Sequence, residues 1–163
     1  MKHVLLALVV ACSFPTGALA NWAVQNSGED VFGNVNVTAT SIGDNGNVIK
    51  FECGSSSKPF FVFLLKNNEG DVPEIAAEFL HVDQDGDRHR SEATLGPWNE
   101  NYVAVKVTDE KMLRNIVQHM IVATGQVSVG IAIPATDFRV ADTFSSRGST
   151  AAGRTLLKHC ISE

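Results

Sequence analysis

The chain has 163 residues, a formal net charge of −5 and a hydrophobic fraction of 44%. This length predicts a single domain that can bury a core without a structural metal ion. The acidic balance argues against nucleic acid as a partner, because phosphate binding requires clustered lysine and arginine.

The first 20 residues have the layout of a secretory signal peptide. Lys2 gives a positive start, residues 4–14 are apolar apart from one serine, and Ala-Leu-Ala at 18–20 provides a cleavage site. The apolar run is shorter than the roughly 20 residues that cross a bilayer. We therefore expect a mature domain over 21–163 with no membrane span, in the periplasm or secreted. Lipidation of Cys12 is left open, since that residue ends a loose lipobox.

Two cysteines remain after this segment, Cys53 and Cys160. An even number of cysteines in an exported chain favours a disulfide, and two allow only one pairing. The alternative is a pair of buried free thiols. No CxxC motif is present in the sequence, so we interpret the pair as structural rather than redox-active.

Apolar residues that alternate with polar ones predict a β protein. The turn residues of 43–46 separate two such runs and indicate a hairpin. The run 60–65 is apolar on both faces, which is typical of a central strand. In chain order, the expected strands are 35–40, 49–53, 60–65, 75–84, 87–95, 102–107, 127–133 and 137–144.

Two stretches have helical periodicity instead. After Thr108 or Asp109 as N-cap, apolar residues fall at i, i+3, i+4 and i+7 and predict a helix with one buried face. A second, C-terminal helix would place Cys160 towards the sheet, although Gly153 weakens it by about 1 kcal/mol relative to alanine. We therefore expect a mainly β fold, an antiparallel sandwich-like domain with two short helices, one of them C-terminal.

The segment 81–89 carries alternating histidine and aspartate. Asp83, Asp85 and Asp87 match three positions of a calcium loop, but a glycine and a glutamate that such loops require are missing. We interpret Asp85-Gly86 as a two-residue hairpin turn that pairs Val82 with His89. His81 and His89 would then lie on opposite faces. This pairing disfavours a metal site, so the three aspartates are only weak metal candidates.

Motifs of nucleophilic and cofactor chemistry are missing from the sequence. It contains no G-x-S-x-G, no phosphate-binding glycine loop and no H-E-x-x-H. His159 could activate Cys160 only if that thiol were free. We therefore expect no catalytic residues, no cofactor and no enzymatic activity.

Protein binding is the remaining expectation. Trp98 follows Gly-Pro in a turn and could anchor an interface, although a tryptophan capping the core is the alternative. Asp85 and Arg88 at the hairpin tip are the other candidate partner-binding residues. The loop 55–58 or the loop 83–90 could act as the rigid loop of an enzyme inhibitor.

Several features follow one another in a distinctive order: an early tryptophan, a cysteine closing a strand, a strand ending near an aspartate, a second tryptophan, and a phenylalanine strand before a small-residue helix with a cysteine. They are Trp22, Cys53, Asp83, Trp98, Phe144 and Cys160. This order resembles the invasion-associated locus B family and the VasI-like accessory proteins of type VI secretion. The resemblance implies a β-rich exported domain without enzymatic chemistry. We therefore expect a binding or accessory protein of the bacterial envelope, with a small periplasmic inhibitor as the alternative and a metal-binding protein as a third possibility.

Overall fold

The computed structural model describes residues 21–55, 57–66 and 72–161. The signal-peptide prediction and Cys12 lie outside this part of the chain. The elements in order are β1 Trp22–Glu29, β2 Val35–Ile42, β3 Val48–Gly54, β4 Ser57–Lys66, β5 Ile75–Val82, β6 Arg88–Asn99, β7 Tyr102–Val107, α1 Glu110–Val122, β8 Gln126–Ala132, β9 Arg139–Ser145 and α2 Ser149–His159.

The strands form one curled sheet in the order β1-β2-β3-β4-β7-β6-β5-β8-β9, and every pair is antiparallel. The expected mainly β fold with two helices is confirmed, and its strands belong to a single continuous sheet. The predicted hairpin around 43–46 is confirmed by the pairing of β2 with β3. Strand β1 was not predicted from the sequence.

The inner face of the sheet carries the core. Five phenylalanines from four different strands are almost fully buried there and pack with the apolar faces of both helices. They are Phe51, Phe61, Phe63, Phe79 and Phe144. In β4 the outward residues Val62 and Leu64 are buried as well, which confirms a central strand covered on both sides.

Helix α1 lies against this inner face. Asp109 is its N-cap, because the Asp109 carboxylate accepts a hydrogen bond from the backbone N–H of Met112 at 2.7 Å. The residues expected on its apolar face are buried: Leu113, Ile116, Val117 and Met120. His119 falls in the last turn, so the helix carries it to one rim of the core.

The C-terminal helix is held by a covalent bond. Cys53, in β3, and Cys160, at the end of α2, form the expected disulfide, with their Cα atoms 5.6 Å apart. Within the described ranges, neither helix is long and apolar enough to cross a membrane.

Candidate metal centre

The β5–β6 turn is organised by the carboxylate of Asp83. Its Oδ1 accepts hydrogen bonds from the backbone N–H groups of Asp85 and Asp87, both at 2.9 Å. The backbone of Asp83 closes the loop through a hydrogen bond from Asp83 N to Asp87 O at 3.0 Å. Gly86 has a φ of +85°, the left-handed conformation that glycine adopts at no steric cost. The result is a three-residue loop.

The expected two-residue turn is therefore wrong, and so is the pairing derived from it. Val82 pairs with Arg88, and His81 pairs directly with His89. A shift of one residue in register moves a side chain to the other face of the sheet, because side chains alternate along a strand. The two histidines consequently lie side by side on the inner face, and not on opposite faces.

Helix α1 adds a third imidazole to this pair. The ring centroid of His119 lies 4.8 Å from that of His81 and 5.1 Å from that of His89. The Asp83 Oδ2 atom lies 3.1 Å from His89 Nε2 and 3.7 Å from His119 Nε2. Three of the five histidines of the chain and one carboxylate thus converge where the hairpin meets the end of the helix.

The environment sets the charge states of these groups. Burial, followed by repulsion from His119 and His89, lowers the pKa of His81 from 6.5 to about 4. Burial also lowers the pKa of His119. The hydrogen bond from His89 lowers the pKa of Asp83. At neutral pH, His81 and His119 are uncharged and Asp83 is ionised, the states in which these groups coordinate metal ions.

The distances fit a small transition-metal ion. Zinc binds imidazole nitrogen at about 2.0–2.1 Å and carboxylate oxygen at about 2.0–2.2 Å, so tetrahedral ligand atoms lie about 3.3 Å apart. The ligand atoms of Asp83, His89 and His119 all lie within 4.8 Å of one another, and two of the separations are 3.1 and 3.7 Å. Small rotations of the side chains would bring all three to one ion. The fourth position remains open to water or another ligand.

The other candidate residues from the sequence lie outside this cluster. Asp85 and Asp87 are exposed in the loop and support it through their backbone N–H groups. Of the three weak metal candidates, Asp83 alone joins the convergent group. The bridged Cys160 offers no thiolate to His159.

A second concave surface lies on the outer face of the sheet, over β5, β8 and β9. It is a cavity of about 820 Å³ that contains Arg88, Arg90 and Arg139, three of the six arginines of the chain. Part of its lining is formed by the small residues Gly130 and Ala141. Elsewhere on the surface, Trp98 is 40% exposed at the end of β6, with Lys50 Nζ 6.0 Å from the centre of its ring.

Comparison with known proteins identified no relative of this chain. No family model, no curated protein and no solved structure matches the chain.

Proposed function

We propose that this chain is an exported, non-enzymatic binding protein that holds one divalent transition-metal ion at Asp83, His89 and His119. The observation that carries the proposal is the convergence of Asp83 Oδ2 with the two Nε2 atoms, at 3.1 and 3.7 Å. Two imidazoles and one carboxylate suit zinc, copper, nickel or iron(II). Calcium prefers six to eight oxygen ligands, so this donor set disfavours it.

The position of the cluster supports reversible binding of an ion. The side chains of His89 and His119 are 30% and 21% exposed, so an ion can reach them from solvent. Asp83 is only 9% exposed and is held by the loop backbone, which keeps its carboxylate aimed at the two rings. The site therefore needs little rearrangement to bind.

Export of the protein is part of the same proposal. The Cys53–Cys160 disulfide is typical of proteins that fold in an oxidising compartment. The layout of residues 1–20 supports a signal peptide, and the order of features that resembles the invasion-associated locus B and VasI-like proteins supports a role in the bacterial envelope.

The test is calorimetric titration of chelator-treated protein with zinc, together with the absorption spectrum of the cobalt-loaded form. We expect one ion per chain and a tetrahedral cobalt spectrum. His119→Ala should weaken zinc binding by more than about 100-fold, since loss of an outer-shell partner alone costs about 10–100-fold. His159→Ala removes an exposed histidine outside the cluster and should leave affinity unchanged. Wild-type protein that binds no stoichiometric ion would refute the proposal.

A second candidate function is binding of an acidic segment of a partner protein, favoured by the arginine-lined cavity. Arg88 and Arg139 lie on the outer face, in β6 and β9. Arg90 also lines the cavity and forms an ion pair with Glu78, with Arg90 Nη1 3.4 Å from Glu78 Oε2. A partner retained by the oxidised wild-type domain should be lost by the Arg88→Glu, Arg139→Glu double variant. Lys158→Glu, an exposed charge reversal on α2, is the matched control. If both variants retained the partner equally well, the arginine-lined cavity would be excluded as the binding surface.

A further inference from the structure

His81 belongs to the cluster but not to the group of three ligand atoms. Its Nδ1 lies 3.2 Å from Nδ1 of His119, whereas the opposite nitrogen of His119, Nε2, faces Asp83. His119 is therefore placed between a carboxylate on one side and a second imidazole on the other. The side chain of His81 is only 1% exposed, so little water competes for this contact.

The contact restricts the protonation of His119. A hydrogen bond between two neutral imidazole nitrogens requires one N–H donor and one lone-pair acceptor. If His81 donates, the proton of neutral His119 is on Nε2, and that atom cannot bind a metal ion. If His119 donates through Nδ1–H, its Nε2 carries the free lone pair that an ion requires.

We propose that His81 is a positioning residue of the metal centre. Its Nδ1 accepts a hydrogen bond from His119 Nδ1–H, so the lone pair of His119 Nε2 is free to bind the ion. This inference rests on the proposed metal-binding function. Histidines that bind metal ions generally donate their second ring N–H to an acceptor, which fixes the tautomer and the ring orientation. Here the acceptor is another histidine.

The sheet register gives His81 this role. His81 lies directly opposite His89 in the β5–β6 pair, and its Nδ1 lies 3.2 Å from His119 Nδ1, with an angle of 27° between the two ring planes. One strand pair therefore positions both a ligand, His89, and the residue that orients the ligand from α1.

The first measurement is nitrogen-15 NMR of the imidazole groups in the full mature domain, chelated and then loaded with zinc. In the loaded protein we expect His119 to carry its proton on Nδ1, and His81 to carry its proton on Nε2 with an unprotonated Nδ1. A proton on Nδ1 of His81 in the loaded protein would overturn the inference while leaving metal binding intact. Absence of a bound ion would overturn both.

Variants give an independent readout. His81→Leu removes the acceptor and should weaken zinc binding by about 10–100-fold. His81→Gln keeps an acceptor oxygen and should recover most of the affinity. Phe79→Leu changes a buried side chain of the same strand and face, so it controls for general loosening of the core and should not alter zinc affinity. The inference fails if folded His81→Leu binds zinc as tightly as wild type. It also fails if that variant loses as much affinity as His119→Ala and its cobalt spectrum shows one nitrogen ligand fewer.

Discussion

The carboxylate of Asp142, in β9, accepts a hydrogen bond at 2.9 Å from the side-chain amide of Asn47, the residue just before β3. Asn47 also accepts a hydrogen bond through its Oδ1 from the backbone N–H of Lys66 at 3.1 Å. Asn45 donates to the same carboxylate through its side-chain amide at 3.1 Å. The last strand is thereby tied to the β2–β3 turn, which lies near the other end of the strand order. This contact holds the sheet in its curl.

Removal of this carboxylate should destabilise the fold. Asp142 is 3% exposed, and Asp142→Ala would leave the buried amide of Asn47 without an acceptor. Hydrogen bonds to charged groups contribute about 1.5–3 kcal/mol each, so we expect a loss of about 2–4 kcal/mol in urea unfolding. Asp44→Ala removes an exposed carboxylate that accepts a hydrogen bond from Thr143, and should cost less than about 1 kcal/mol. Equal losses from the two variants would contradict this account.

Gly153 is expected to be required by the contact between the two helices. A Cβ at this position would lie 2.8 Å from Ile121 Cγ1 and 3.1 Å from the carbonyl oxygen of Val117. Gly153→Ala should therefore lower the melting temperature, because overpacking costs about 1–3 kcal/mol and outweighs the gain of about 1 kcal/mol in helix propensity. Ala151→Gly, on the exposed side of the same helix, gives the propensity effect alone. A rise in melting temperature for Gly153→Ala would show that the helices can separate without cost.

Zinc should stabilise the folded protein. A ligand that binds only the native state adds about 2.7 kcal/mol at a free concentration 100 times its Kd. We expect zinc to raise the melting temperature of the wild-type protein and chelator to reverse the rise. His89→Ala should abolish the shift, whereas Asp85→Asn, in the exposed part of the same loop, should retain it. A shift that survives His89→Ala would place the ion elsewhere.

The chelated protein should lose stability in mild acid because of His81. Its pKa of about 4 in the folded protein lies below its ordinary value of 6.5, so the unfolded chain binds the proton more tightly. The contribution of His81 to the free energy of unfolding is therefore at its maximum above pH 6.5, declines as the pH falls towards 4 and does not change further below that value. The total loss in the free energy of unfolding from this group is about 3 kcal/mol. In the part of the chain that the structure describes, the titratable groups that face His81 are His119, His89 and Asp83.

Urea unfolding between pH 4 and pH 8, with chelator present, measures this effect. The slope of stability against pH should be steeper for the wild-type protein than for His81→Leu, which cannot take up the proton. His159→Ala is again the control, because that histidine is exposed on α2. Parallel profiles for wild type and His81→Leu would assign the acid sensitivity to other groups.

The strands that could be predicted from sequence are those in which burial imposes alternation. In β8, for example, Val127, Val129 and Ile131 are all buried and regularly spaced. Strand β1 has no such pattern, because every residue after Trp22 in it is exposed and its structure depends on backbone pairing with β2. An edge strand of this kind carries little signal of its own.

The candidate metal centre could not be predicted from the sequence because of a difference of one residue in the turn. The side chain of Asp83 selects a three-residue loop over the two-residue turn that Asp85-Gly86 favours. That choice decides whether His81 and His89 share a face. The contribution of His119 depends on how α1 docks against the sheet, which local sequence does not specify. The signal that could have been used was the presence of a third histidine on the rim of an amphipathic helix.

The disulfide turns most of the domain into a covalent ring. Cys53 and Cys160 are 107 residues apart, so β4 to β9 and both helices lie inside the ring, while β1 and β2 lie outside it. A single protease cut at any loop inside the ring, including the β5–β6 loop, leaves one molecule until the bridge is reduced. A cut before Cys53 breaks the covalent connection to an N-terminal fragment, which then stays bound only through hydrogen bonds and packing. The proposed metal ligands thus lie within the covalent ring, and the edge strand β1 lies outside it.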